Sequence, residues 1–252
     1  MRYERRKTRS AGAEVVVIIG GMRFDDFDQR GYPEVDVRTG YGAWAATYDG
    51  SVLDAMDIAL LEQLKEPVWS TVDLAADLGC GTGRTGAWLR ANGVSTVHGV
   101  DLTPEMLEGA GRRGAHAKLV EADVTETGLP SRSYQLITAS LIDEHLDDLA
   151  PLYREAARLA APGSAFVLVA YHPQFMMVSG MPTHFTSADG ESVTIATNLH
   201  LVSDHVGAAL AAGWRLAEMR EGLIDDHWVA AKPKWARFRG QPISVAYVWR
   251  ND

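Results

Sequence analysis

The sequence Asp77-Leu78-Gly79-Cys80-Gly81-Thr82-Gly83 follows an apolar run that begins at Thr71 and precedes a helical pattern over residues 84–91. Glycine lacks a Cβ, so closely spaced glycines let the backbone turn tightly and approach a ligand. In open α/β sheets, such turns lie at the carboxyl ends of the strands, where ligands bind. The segment therefore predicts a ligand-binding strand–turn–helix unit.

Strand-like and helical patterns alternate along the chain around this turn. The strand-like runs cover residues 71–78, 95–100, 117–121, 134–139 and 164–171, and the helical patterns cover residues 84–91, 104–112 and 149–160. This alternation favours a parallel sheet with helices on both faces. Two later strand-like runs, at 214–223 and 243–249, suit an antiparallel pair at the sheet edge. The sequence therefore predicts one α/β domain over residues 23–252.

Two further segments of this domain have recognisable patterns. Residues 40–66 are expected to contain a helix, because apolar residues recur at helical spacing over residues 51–65. Residues 172–205 are expected to form an insertion, in which Asp189-Gly190 predicts the turn of a hairpin. Ser203 is expected to cap the helix that follows this hairpin.

Charge and cysteine content limit the classes of partner and compartment. The chain carries a formal net charge of −9, although its first ten residues are basic. An acidic body repels phosphate backbones, so we expect no nucleic-acid partner. Cys80 is the single cysteine, which excludes an internal disulfide and fits a reducing compartment. We therefore expect a cytoplasmic protein.

The N-terminal region contains the apolar run 15–19, which is too short for the core of a signal peptide. No stretch of the sequence approaches the apolar length that crosses a bilayer, so no membrane span is expected. Residues 1–22 are expected to be a disordered or added arm.

The glycine turn fits two kinds of ligand. Residues 81–86 also match the dinucleotide fingerprint, with Asp101 at about the expected distance for a ribose contact. A nicotinamide dinucleotide would place its diphosphate near Asp77, and like charges at roughly 4–6 Å cost on the order of kilocalories in a partly dry site. S-adenosylmethionine instead brings an ammonium and a sulfonium, which an acidic site favours. Electrostatics therefore favours S-adenosylmethionine, and an NAD(P)-dependent oxidoreductase is the alternative.

Several segments resemble, in order and spacing, those of class I S-adenosylmethionine-dependent methyltransferases. Residues 77–83 resemble the first motif of this family, and Asp101 stands where the family holds both ribose hydroxyls. Residues 121–124 resemble the segment that contacts adenine, and residues 41–49 resemble the lid whose tyrosine covers the methionine part. Within the family, the chain is similar to the small-molecule branch of ubiquinone and menaquinone methyltransferases.

This resemblance implies a Rossmann-like, doubly wound sheet of seven mostly parallel strands with an antiparallel C-terminal strand, an N-terminal helical lid and a small hairpin insertion. It also implies S-adenosyl-L-methionine as the cofactor and S-adenosyl-L-homocysteine as the product. The residues that it assigns to the cofactor are Tyr48, Asp77, Gly79, Gly81, Gly83, Asp101, Leu102, Asp123, Val124 and Ser140.

A general base is expected after the fourth strand of the predicted sheet, which in the family lies beside the transferred methyl group. His145 is the leading candidate, because a nearby base helps when the acceptor must lose a proton. Asp143 or Glu144 is expected to orient or tune it. A helix-capping or surface histidine is the alternative interpretation of His145.

The acceptor pocket is expected beneath the insertion. The residues predicted to bind the acceptor are Tyr41, His172, Phe175, His184 and His200. The histidines lack the compact spacing of metal ligands, so no metal is expected.

The sequence Asn-Pro-Pro-Tyr, which amide and exocyclic-amine methyltransferases carry after the fourth strand, is replaced by residues 140–143, Ser-Leu-Ile-Asp. Together with the acidic charge, this substitution is atypical of a DNA-base or glutamine methyltransferase. We therefore predict methyl transfer to a small-molecule acceptor, with the O, C or N atom and the oligomeric state left open. The alternatives are the oxidoreductase and a non-catalytic S-adenosylmethionine-binding protein.

Overall fold

The structure is a computed structural model that describes residues 22–251. The arm predicted over residues 1–22 therefore lies outside the described residues, apart from Met22. The strands are β1 (Met22–Arg23), β2 (Glu34–Val35), β3 (Leu74–Leu78), β4 (Thr96–Asp101), β5 (Lys118–Glu121), β6 (Tyr134–Ser140), β7 (Ala160–Tyr171), β8 (His184–Thr186), β9 (Ser192–Ile195), β10 (Asn198–Leu199), β11 (Arg215–Leu223) and β12 (Pro242–Arg250). The α-helices are α1 (Val37–Trp44), α2 (Tyr48–Ser51), α3 (Ile58–Leu61), α4 (Arg84–Ala91), α5 (Pro104–Arg113), α6 (Ala150–Leu159), α7 (Pro173–Ser179), α8 (Val202–Ala211) and α9 (Asp226–Ala231). Short 3₁₀ turns cover Phe24–Asp26, Trp69–Thr71, Asp143–His145 and Pro233–Phe238.

The central sheet has seven strands in the order β11-β12-β7-β6-β3-β4-β5. Strands β3 to β7 run parallel to one another, whereas β12 pairs antiparallel with both β7 and β11. The chain order reverses between β3 and β6, and the carboxyl ends of these strands open a crevice at such a point. The prediction of a doubly wound, mostly parallel seven-stranded sheet is confirmed.

Apolar side chains cover both faces of this sheet. Leu89 of α4 and Val167 of β7 lie in the core on one face, whereas Tyr153 of α6 and Phe166 of β7 lie in the core on the other. Burial on both faces explains why the central strands appear in the sequence as continuous apolar runs. Within residues 22–251, no helix combines the length and apolar character needed to cross a membrane.

The predicted helical spacing over residues 51–65 does not form one helix. It is divided between the end of α2 and the short helix α3. Ser51 ends α2, with its Oγ donating to the carbonyl oxygens of Thr47 and Tyr48. Asp57 starts α3 by accepting a hydrogen bond from the Ile58 N–H at 2.8 Å. Local capping by polar side chains therefore overrides the apolar period in the lid.

The predicted cap of α8 was also wrong, because that helix begins two residues earlier than a cap at Ser203 requires. Ser203 lies inside the first turn, which starts at Val202. Leu201 occupies the cap position, and its N–H donates a hydrogen bond to the Asp204 carboxylate at 2.8 Å. An acidic side chain in the first turn of a helix satisfies an otherwise unpaired donor.

The predicted hairpin is present as β8 and β9, which pair antiparallel, with Gly190 in the left-handed region at φ +84°. Strand β9 also pairs in parallel with β2. The Trp44 ring of α1 stacks on the Phe185 ring of β8, with 5.6 Å between the ring centroids. A Cβ on Gly40 would lie 2.6 Å from Ile195 Cγ1, so glycine is needed where α1 meets β9. The lid and the hairpin therefore form one packed layer.

His116 lies directly behind the glycine turn. Its side chain is 0% exposed, and its Nε2 lies 3.1 Å from Asp77 Oδ2. A Cβ on Gly86 would lie 2.3 Å from His116 Nε2, and a Cβ on Gly99 would lie 2.8 Å from His116 Cδ2. The third glycine of the dinucleotide-like sequence 81–86 therefore makes room for an imidazole of this chain.

Replacing Gly86 by Ala should lower the free energy of unfolding by about 1–3 kcal/mol, because the added methyl group collides with His116 in a packed interior. Urea denaturation followed by circular dichroism measures the change. Gly207 in α8 is the matched control, since a Cβ there meets no atom within 4 Å. Gly207→Ala should stabilise the chain by roughly 0.5–1 kcal/mol. Equal stability of the two variants would contradict the packing role of Gly86.

Candidate active site

A cavity lies at the carboxyl ends of β3, β4 and β6 beneath the lid helices α1 and α2. It is lined by residues of the lid, the glycine turn and the segments that follow β4, β5 and β6: Val37, Tyr41, Tyr48, Gly79, Gly81, Asp101, Leu102, Thr103, Met106, Asp123, Val124, Ser140, Leu141, Ile142, His145 and Leu146. The cavity therefore coincides with the point where the strand order reverses, as expected for a ligand site in this architecture.

The glycine turn forms one wall of this cavity. Gly79, Gly81 and Gly83 have φ values of +64°, +52° and +85°, a conformation that favours glycine. A Cβ on Gly79 would lie 2.5 Å from Ile142 Cγ2, whereas a Cβ on Gly81 would meet no atom within 4 Å. Gly81 is thus the point at which a ligand can contact the backbone directly. Burial raises the pKa of the Cys80 thiol well above its usual range, so Cys80 is a packing residue of the turn.

Asp101 connects the glycine turn to the start of α5. Its Oδ2 accepts a hydrogen bond from the Gly81 N–H at 2.8 Å, and its Oδ1 accepts one from the Thr103 N–H at 2.9 Å. Burial raises the pKa of Asp101, and these two hydrogen bonds oppose that rise. Each carboxylate oxygen has a further lone pair, so Asp101 can still accept hydroxyl protons from a sugar in the cavity.

Two of the predicted cofactor residues do not line the cavity. Asp77 is 1% exposed, and its Oδ1 accepts a hydrogen bond from Thr138 Oγ1 at 2.9 Å while its Oδ2 faces His116. Gly83 lies against Ala110 and His116. Asp77 was expected to give the site its acidic character, but the carboxylates at the cavity are those of Asp101 and Asp123.

The end of β5 supplies the wall at which an adenine is expected. Asp123 is exposed, and its Oδ1 accepts hydrogen bonds from the Thr125 N–H at 2.8 Å and from Thr125 Oγ1 at 2.6 Å. Val124 and Met106 add apolar surface to the same cavity. A fixed carboxylate beside apolar side chains suits a flat heterocycle that carries an amino group.

His145 and Tyr41 meet at the cavity. His145 Nδ1 lies 2.8 Å from the Ala196 carbonyl oxygen, which can only accept, so Nδ1 carries the proton. His145 Nε2 lies 2.8 Å from the Tyr41 hydroxyl and accepts a hydrogen bond from it. Burial lowers the pKa of His145, and desolvation raises the pKa of Tyr41 well above its usual range. The pair is therefore a neutral imidazole and a neutral phenol, with the basic nitrogen held by the phenol.

The acidic residues next to His145 are buried and make different contacts. Asp143 does not line the cavity, and its Oδ2 lies 3.3 Å from Nε2 of His205 on α8. Glu144 Oε1 accepts a hydrogen bond from Thr183 Oγ1 at 3.2 Å and lies 3.8 Å from His145 Nε2. Burial, together with the charge of Asp143, raises the pKa of Glu144 to about 8. Asp143, which was expected to orient His145, therefore pairs with a different histidine.

Four residues predicted to bind the acceptor lie away from the cavity: His172, Phe175, His184 and His200. Each has a partner elsewhere. His172 caps α7, the Phe175 ring stacks on Trp235, and the His200 ring donates to the Leu146 carbonyl oxygen at 2.7 Å. Tyr41 alone of the predicted acceptor residues lines the cavity. These site assignments stay predictions, now with defined positions.

The sequence reasoning missed several apolar residues of the cavity, namely Val37, Met106, Leu141, Ile142 and Leu146. Leu141 has a positive φ of +56°, which turns the chain sharply after β6. A non-glycine residue in this region is strained, and such strain concentrates at functional sites. Leu141 and Ile142 could have been assigned to the cavity because they directly follow strand β6. The sequence around Val37 contains no comparable signal.

Polar contacts hold the lid against the glycine turn. Asp49 of α2 accepts hydrogen bonds from Thr82 Oγ1 at 2.5 Å and from the Arg113 guanidinium at 2.6 Å. The Arg84 guanidinium donates to Asp54 at 2.7 Å and to Asp57 at 2.9 Å. The lid is thus attached to the same turn that forms the cavity wall.

Comparison with known proteins agrees with this geometry. Residues 76–168 match the family described as "Methyltransferase domain". An S-adenosylmethionine-dependent methyltransferase from Mesorhizobium loti has a similar structure, with 25% sequence identity, a TM-score of 0.62, and coverage of 81% of this chain and 99% of that one. The resemblance to class I S-adenosylmethionine-dependent methyltransferases is confirmed, whereas the ubiquinone- and menaquinone-methyltransferase-like branch stays a prediction.

Curated relatives match smaller shares of this chain than the structural relative does. The malonyl-[acyl-carrier protein] O-methyltransferase of Halorhodospira halophila is 34% identical over 144 residues, which are 55% of this chain and 48% of the relative. The trans-aconitate 2-methyltransferase of Methylobacterium radiotolerans is 37% identical over 96 residues, 38% of this chain and 36% of the relative. The chain therefore spans half or less of the length of these relatives.

Replacing Asp49 by Asn should loosen the lid, because the amide removes the negative charge that holds Arg113 and weakens the bond to Thr82. Hydrogen exchange read by mass spectrometry should then become several-fold faster over residues 37–51, whose opening is local. Glu108→Gln is the control, since Glu108 is exposed and pairs with Arg112 at 3.9 Å on the surface of α5. Exchange in the lid that is equal in both variants would contradict the attachment.

Proposed function

We propose that this class I methyltransferase domain binds S-adenosylmethionine in the cavity beneath the lid and transfers its methyl group to a small-molecule acceptor. One observation carries the proposal. A single cavity joins an open glycine backbone, a carboxylate at the end of β4 and a neutral histidine whose basic nitrogen faces a hydroxyl.

The residues of the cavity fit this cofactor. Gly81 leaves space that a Cβ would fill, and Asp101 has acceptor capacity for two ribose hydroxyls. Asp123 and Val124 are suited to the adenine, and Tyr48 of the lid to the methionine part. When bound, S-adenosylmethionine supplies an electrophilic methyl carbon next to a positively charged sulfur.

The chain contributes position and a base. Methyl transfer is an in-line displacement, so holding the acceptor against the methyl carbon supplies much of the rate. His145 Nε2 takes the proton of the acceptor as the acceptor atom forms its new bond. Tyr41 must give up its hydrogen bond to Nε2 for this step, because the two donors compete for one lone pair.

Two features of the chain weigh against the alternatives. Gly86 faces His116, so the sequence 81–86 has a packing explanation that needs no diphosphate. The neutral, buried His145 beside the cavity suits a catalytic base, which a non-catalytic binding protein would not require.

Replacing Asp101 by Ala should weaken S-adenosylhomocysteine binding by roughly 1–3 kcal/mol, because a charge-assisted contact to the ribose is lost. Isothermal titration calorimetry measures the affinity, and a nicotinamide dinucleotide serves as the competing ligand. Asp189→Ala in the exposed hairpin turn is the control and should bind S-adenosylhomocysteine as the unmodified chain does. Unchanged affinity of the Asp101 variant would remove the ribose assignment, and tight binding of the dinucleotide would overturn the proposed cofactor.

Replacing His145 by Ala should lower turnover by about 10²–10⁴-fold and leave S-adenosylhomocysteine affinity unchanged. In the unmodified chain, activity should fall as the pH drops through the pKa of His145, because only the neutral imidazole accepts a proton. Burial lowers this pKa, so the acidic limb of the kcat/KM profile should lie below pH ~6.5.

The control for this variant is His227→Ala, since His227 is exposed in α9 and does not line the cavity. It should retain both the turnover and the acidic limb. An acidic limb that persists in His145→Ala, or turnover equal to that of the control, would exclude His145 as the base.

A further inference from the structure

We propose that the acceptor site takes an uncharged hydroxyl compound, a phenol or an alcohol, and discriminates against carboxylates. This inference rests on the proposed methyl transfer and specifies its substrate class. It differs from the acceptors in the names of two relatives, malonyl and trans-aconitate, the latter a carboxylate by name. The family match over residues 76–168 includes neither the lid nor the roof of the cavity, so it does not determine the acceptor.

The protonation state of His145 carries the inference. The Ala196 carbonyl oxygen fixes the proton on Nδ1, so Nε2 presents a lone pair to whatever approaches it. A hydroxyl group approaches this lone pair as a donor. A carboxylate has no proton to donate and would bring its own lone pairs against Nε2.

Tyr41 shows that this position accepts a phenol. Its hydroxyl lies 2.8 Å from His145 Nε2, and its ring meets the imidazole edge-on, with 5.2 Å between the ring centroids. The chain therefore already holds at the base the hydrogen bond that a phenolic acceptor would make.

The charges of the chain around the base are unsuited to an anion. Among the described residues, the cavity is lined by no lysine or arginine. Arg84, which begins α4 beside the lid, is bound to Asp54 and Asp57. An anion in the cavity would therefore lose water without gaining a cationic partner from these residues, which is costly.

The buried acidic residues beside His145 also disfavour an anionic acceptor. Asp143 and Glu144 are 2% and 3% exposed, and both adjoin His145 in the 3₁₀ turn. Burial and the charge of Asp143 raise the pKa of Glu144 to about 8, and the Glu144 carboxyl group is either neutral or anionic. Neither form supplies the positive charge that a bound carboxylate would need.

The test uses the full chain loaded with S-adenosylhomocysteine and three small probes, phenol, benzoate and benzylamine. Titration followed by ligand-observed NMR should give phenol a Kd at least about tenfold lower than that of benzoate, because only benzoate buries an unpaired charge. Turnover with S-adenosylmethionine should be detected with phenols and not with benzoates.

The variant Tyr41→Phe tests whether phenol binds through a hydrogen bond to His145 Nε2 or only through the shape of the cavity. The variant removes the internal hydroxyl that occupies Nε2, so phenol should bind several-fold more tightly, whereas benzoate should gain nothing. His145→Ala should remove the preference for phenol over benzoate.

Benzoate binding as tightly as phenol, benzylamine binding best, or no probe binding at all would each overturn the inference while leaving cofactor binding intact. Failure of S-adenosylhomocysteine to bind would instead overturn the proposed function, and this inference with it.

Discussion

The carboxylate of Asp101 is the contact on which the site depends. It accepts the backbone N–H of Gly81 on one oxygen and that of Thr103 on the other, so it fixes the glycine turn relative to the start of α5. A turn with three left-handed glycines would otherwise be free to adopt many conformations. The same side chain lines the cavity, so one carboxylate both stabilises the glycine turn and can accept hydrogen bonds from a ligand.

The glycines of residues 81–86 have two different roles. Gly81 opens toward the cavity, whereas Gly86 provides space for His116 behind it. His116 in turn contacts the Asp77 carboxylate, which is also bound by Thr138. The glycine wall of the cavity thus packs against a buried polar layer, Asp77, His116 and Thr138, that does not line the cavity. This division explains how a sequence that matches a dinucleotide fingerprint can serve another purpose.

The sheet could be predicted from the sequence because its strands are buried on both faces and its helices carry clear periods; α4 was placed at its observed bounds, Arg84–Ala91. Residues at or soon after strand ends, such as Asp101 and His145, could be placed at the cavity because ligands bind at the carboxyl ends of the strands in such sheets. His172 and His200 could not be placed, because their partners, Glu221 and the Leu146 carbonyl oxygen, are distant in sequence. The position of Asp77 outside the cavity lining could not be predicted, because its partner His116 lies 39 residues away in the sequence.

The phenol–imidazole contact between α1 and the turn after β6 has a consequence for the idle protein. Water is the most abundant molecule with a removable proton, and hydroxide formed beside an activated methyl donor would consume the donor without product. The lone pair of His145 Nε2 is engaged by Tyr41, so this nitrogen has no free lone pair to offer a water molecule. If His145 is the base proposed above, the contact would limit hydrolysis of the methyl donor by this route while no acceptor is bound.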